Sequence, residues 1–118
     1  MAKPMTNVHL NDAVLNELAK VLEEDFPSIL ASFIHSSAKI LASIPESLIK
    51  EDPEEFIMKI HSIKGSCRNI GAEHLAELCK HTEALAKSSQ INEIDPTLTE
   101  IKSEFDTVKN ALLAYQTQ

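Results

Sequence analysis

Apolar residues recur every three to four positions along almost the whole chain, and no stretch alternates with period two. That pattern commits the chain to helices, each with one buried face, and leaves no segment suited to a strand. A first helix is expected from a cap at Asn11 or Asp12 through Val14, Leu15, Leu18, Val21 and Leu22. Phe26-Pro27 breaks the periodicity and opens a second, with the stripe Leu30, Phe33, Ile34, Ser37, Ile40, Leu41 and Ile44, ending at Pro45. Residues 45–51 form a connection with no clear pattern. Asp52-Pro53-Glu54-Glu55 then joins a cap, a proline suited to the first helical position and a capping-box-like glutamate. That third helix runs to Asn69 or Ile70, where Gly71 tolerates the left-handed conformation that ends a helix. A fourth carries Leu75, Leu78, Cys79, Thr82, Leu85 and Ala86 inward and stops near Ser88-Ser89. Asp95-Pro96 repeats the cap-then-proline signal before a last helix with Leu98, Ile101, Phe105, Val108, Leu112 and Tyr115. The expected fold is all-α: an antiparallel up-down four-helix bundle with a short additional N-terminal helix. A chain of 118 residues fits one such domain over 1–118, with 1–9 as a flexible N-terminal segment.

Charge and composition narrow the function classes. Eleven Lys plus Arg against 18 Asp plus Glu give a net charge of −7, which argues against a duplex nucleic acid as partner. No run of apolar residues is long enough to span a membrane, and the start Met-Ala-Lys-Pro-Met-Thr-Asn has no apolar leader core. Two cysteines, Cys67 and Cys79, make no disulfide framework and fit a reducing compartment. A soluble cytoplasmic domain is therefore expected. No P-loop and no Gly-rich nucleotide lid is present, so no autonomous kinase or hydrolase activity is expected.

The third helix is the informative one. At 100° per residue, Phe56, Ile60, Ile63, Cys67 and Ile70 form one apolar seam, and His61 falls roughly 140° from its middle. His61 should face outward, with Glu54, Ile57, Met58, Lys64, Gly65 and Arg68 around it. Gly65 sits in the helix interior, where it costs about 0.5–1 kcal/mol relative to alanine, so its use is clearance for something approaching the imidazole. Ile57 and Met58 are large apolar groups on that outward face and point either to partner contact or to packing under the short first helix. From Lys59 to Lys80 four basic residues stand against two acidic ones, whereas the rest of the chain is strongly acidic. An exposed imidazole with cations, bare backbone and an apolar rim suits a nucleophile that takes a phosphoryl group from another protein. Lys64 and Arg68 could balance its charge.

The run His61-Ser62-Ile63-Lys64-Gly65-Ser66-Cys67, followed by Gly71-Ala72, Leu75, Leu78-Cys79 and Glu83, resembles the signature of histidine-containing phosphotransfer domains. The resemblance implies a monomeric four-helix bundle that carries phosphoryl groups between receiver-domain aspartates. It implies His61 as the phosphorylated residue, reacting through Nε2, with Lys64 and Gly65 at the electrostatic and clearance positions. Glu83 matches the position that can hold the other ring nitrogen. The partners implied are the receiver domain of a hybrid sensor kinase and that of a response regulator, docking on Ile57, Met58, Gly65 and Arg68. No cofactor is expected on this chain; Mg²⁺ belongs to the receiver. Cys67 and Thr82 depart from the residues usual in the family, and both fall on apolar stripes.

Two other classes remain in view. His74, Glu77 and His81 share one face of the fourth helix at metal-ligand spacing, although no matching ligands are evident on facing helices. A docking module that binds a signalling partner without accepting phosphate is the other, and replacing His61 separates it from a relay. Cys67 and Cys79 read as core residues. His9 and His35 carry no pattern.

Overall fold

The computed structural model describes residues 9–45 and 47–116. Its helices are α1 (Asp12–Leu22), α2 (Phe26–Ala42), α3 (Leu48–Glu51), α4 (Pro53–Ile70), α5 (Glu73–Lys87) and α6 (Ile94–Gln116), with 3-10 turns at Glu23–Asp25 and Ile91–Glu93. Among the described residues there is no strand. The expected flexible segment 1–9 lies outside them apart from His9, whose Nδ1 is 2.7 Å from the Glu104 carboxylate.

Four helices make the bundle. α4 packs chiefly on α5, α5 on α6, and α2 closes the ring against α4 and α6. α2 and α6 run antiparallel, since Phe26 meets Tyr115 at one end while Phe33 meets Phe105 further along. The expected seam of α4 is buried in full, from Phe56 through Ile70, against Leu30, Phe33, Leu75, Ile101, Val108 and Leu112. Thr82 enters this core without leaving a polar group unpaired, because its hydroxyl donates to the Leu78 carbonyl at 2.9 Å.

Three expectations change. Asp95 is not a cap: α6 starts one residue earlier at Ile94, fed by the 3-10 turn and anchored by the burial of Ile94. Pro96 is tolerated there because its missing N–H is one of the four that a helix start leaves unpaired anyway. The patternless connection contains one helical turn, α3, whose Leu48 and Ile49 are buried. Val21 is exposed, since α1 rests on Leu15, Leu18 and Leu22 and Val21 lies off to the side of that line.

The α4–α5 connection sets the geometry of everything above it. Gly71 has φ +85°, and both its amide and that of Ala72 return to the Cys67 carbonyl. A Cβ at Gly71 would stand 3.1 Å from Val14 Cβ and 3.2 Å from the Asn11 carbonyl, so the position needs glycine for conformation and for space. Asn11 caps α1 through Ala13 and Val14 and also donates its own amide to the Gly71 carbonyl at 2.8 Å. The extra N-terminal helix is thereby pinned to the α4–α5 turn.

Candidate functional site

Asp52 starts α4 by accepting the Glu55 amide at 3.1 Å, with Pro53 in the first turn. From that start the seam fixes the helix rotation, and His61 emerges with its side chain 65% exposed. The two-residue turn at Gly71-Ala72 folds α5 back antiparallel to α4. His61 lies ten residues before the turn and Glu83 eleven after it, so a rise of about 1.5 Å per residue brings them to the same level.

There Glu83 becomes the hub. Its side chain is only 7% exposed, Lys64 Nζ donates to Oε1 at 2.8 Å, and Lys87 Nζ pairs with Oε2 at 2.9 Å. His61 Nδ1 stands 3.4 Å from the same carboxylate, looser than a tight hydrogen bond. Burial pushes the Glu83 pKa up, but hydrogen bonds from Lys64, Lys87 and His61 outweigh it and hold the carboxyl down at about 2. An ionised carboxylate only accepts, so the contact is favourable with the imidazole proton on Nδ1. That tautomer leaves the lone pair on Nε2, on the far side of the ring from Glu83. The arrangement can present a neutral imidazole nucleophile of fixed orientation beside two ammonium groups.

The other expected residues fall differently. Lys64 is not an open cation: its side chain is 16% exposed and committed to Glu83. Rotation about one helix axis could not reveal that, because the partner lies on α5. Gly65 is exposed, and a Cβ there would meet nothing within 4 Å, so the bundle itself has no need of glycine. Met58 is 69% exposed and borders a shallow groove with Ile40, Glu55, Lys59 and Ser62. Ile57, read as either a partner contact or a packing residue, is half-buried against the core. Arg68 is exposed one turn beyond Lys64, at a cleft it shares with Glu73, Ala76 and Glu77. Lys87 was not anticipated. Its signal is the Glu83–Lys87 spacing of four on one helix, which gains meaning only once Glu83 is known to be buried.

His74, Glu77 and His81 are exposed, and among the described residues no group of three or more His, Cys, Asp or Glu is placed to hold a metal ion. Cys67 and Cys79 are free and fully buried. Burial pushes both thiols up, Cys79 to about 12, which makes them packing groups, not nucleophiles.

Comparison with known proteins decides the family. The Hpt domain model matches residues 28–111, from α2 into α6. The chain belongs to the Hpt domain family. The crystal structure of histidine-containing phosphotransfer protein B (HptB) from Pseudomonas aeruginosa PAO1 superposes with a TM-score of 0.88 at 28% identity, over 95% of this chain and 97% of that one. The signal transduction histidine-protein kinase BarA of Escherichia coli (strain K12) is 30% identical over 88 residues, as is that of Shigella flexneri. Those residues are 74% of this chain and only 9% of the kinase. As an Hpt protein the chain is a histidine phosphotransfer intermediate of phosphorelay signalling. The Hpt match omits α1, which is the additional helix expected in front of the bundle.

Proposed function

We propose that His61 accepts a phosphoryl group on Nε2 from the aspartyl phosphate of a hybrid sensor kinase receiver and passes it to the receiver of a response regulator. One observation carries this: an exposed imidazole whose Nδ1 faces a buried, ionised carboxylate. Nε2 attacks phosphorus in line, the N–P bond forms, and the aspartate leaves with the P–O electron pair. The reverse attack by a second aspartate moves the group on. Catalysis is mostly positioning, because phosphoryl transfer asks little covalent help from side chains. Glu83 holds the ring and balances its charge, while Lys64, one turn along α4 and paired with the same carboxylate, supplies positive charge for the phosphoryl oxygens.

The receiver docks across α4, on Met58 with the exposed part of Ile57, and close over Gly65, with Arg68 at the edge. The receiver, not this chain, would hold Mg²⁺. The chain works as a monomeric cytoplasmic protein of one bundle domain over 1–118, with neither nucleic acid nor membrane as partner. No described helix is long and apolar enough to cross a membrane. The test is transfer from a panel of phosphorylated receivers to wild type and His61→Gln. Acid-labile, base-stable label on the wild type alone is expected. Binding of receivers with no label on the wild type would leave a docking module instead.

A further inference from the structure

Taking His61 as the acceptor, we infer that Glu83 exchanges one cation for another as His61 is phosphorylated, and that Lys87 is the positioning residue that keeps the carboxylate in place during the exchange. Lys64 in the unphosphorylated site is spent on Glu83, 2.8 Å away and largely out of solvent. It cannot hold the phosphoryl group at full strength while it stays there. When Nε2 bonds to phosphorus, the ring keeps its Nδ1 proton and becomes cationic, while the phosphoryl oxygens bring negative charge to the other side. The ring can then replace Lys64 as the partner of Glu83, and Lys64 is released toward the phosphoryl group.

The exchange needs a third contact that does not move. Lys87 supplies it, at 2.9 Å from Oε2, from the same helix as Glu83 and four residues along. It lies on α5, whereas His61 and Lys64 both lie on α4, so it holds Glu83 from the carboxylate's own helix. Its side chain is 62% exposed, so its replacement leaves the core untouched. Without it, Glu83 would have, among the described residues, Lys64 alone as ammonium partner and would hold it more tightly.

Phosphoramidate tests this without a docking partner. Its P–N bond breaks as Nε2 bonds to phosphorus, and its nitrogen leaves as ammonia. Lys87→Met is expected to take label about two- to fivefold more slowly than wild type, the range open to an ion pair with one exposed member, and Lys87→Arg to recover the rate. Long-range ¹H–¹⁵N spectra of the unlabelled proteins should show less Nδ1–H tautomer of His61 in Lys87→Met and recovery in Lys87→Arg. A wild-type rate, or an unchanged tautomer, in Lys87→Met overturns the inference. A loss seen only with receivers, as weaker half-saturation at unchanged maximal rate, makes Lys87 a docking charge and also overturns it. If wild type is labelled by phosphoramidate but by no receiver, the relay reading fails while the Lys87 comparison still decides this one.

Discussion

Glu83 makes the stability of the chain depend on pH in the acid range. Its carboxyl titrates at about 2 in the folded protein, below the ordinary value of 4.5. Between those values the unfolded chain binds a proton that the folded one does not, so stability falls as pH falls. The contribution is complete above pH 4.5 and disappears as pH drops through about 2. Urea unfolding should therefore show wild type losing on the order of 1–3 kcal/mol more than Glu83→Gln between pH 6 and pH 2. Equal losses would mean that Glu83 is not held ionised by its neighbours. The direction of His61 was legible in the sequence because a helix wheel measures angle about one axis. The state of Lys64 was not, and neither was the part of Lys87, because both depend on the register of α5 against α4. Ile57 shows the same limit: the wheel placed it outward, and packing from neighbouring elements half covers it.

At the scale of the helices, the two glycines of the signature region do opposite things. Gly71 ends α4 at positive φ with Val14 and Asn11 against it, so Gly71→Ala should cost about 2 kcal/mol and loosen α1 from the α4–α5 turn. Gly65 has open space around it, so Gly65→Gln should stabilise the fold by up to about 1 kcal/mol. It should nevertheless slow transfer from a receiver, because the added side chain stands where the partner must approach. Thermal unfolding and transfer rates on the two variants check the pair. Destabilisation by Gly65→Gln would show that glycine serves the fold, and an unchanged transfer rate would remove the clearance role. Helix starts with a side-chain cap were readable, as at Asn11 and Asp52, because the cap is a local hydrogen bond. The start of α6 was displaced from Asp95 because burial of Ile94 and the preceding 3-10 turn outweigh the local signal. The turn α3 was invisible for the same reason: four residues show no period, and what holds them is the burial of Leu48 and Ile49.

Across the whole molecule, the bundle is a mount for one imidazole. Among the described residues, Glu83, Lys64 and Lys87 of the His61 site all lie on α4 and α5, and α2 and α6 cover the apolar faces of that pair. α1 is fastened at its start through Asn11 to the α4–α5 turn and near its middle through Asn16 to the Tyr115 hydroxyl of α6. His9 ties the preceding chain to Glu104 on the same helix. Helical bundling followed from periodicity alone, whereas this clamping of α1 rests on contacts between residues far apart in sequence. On the proposed function, this mount holds Nδ1 of His61 at Glu83 and leaves Nε2 to react. The most direct measurement is ³¹P and long-range ¹H–¹⁵N NMR of the wild-type chain after labelling with phosphoramidate. Phosphorus on Nε2 of His61, with the proton on Nδ1, is the expected result. Phosphorus on Nδ1, or on His9, His35, His74 or His81 in place of His61, would contradict it.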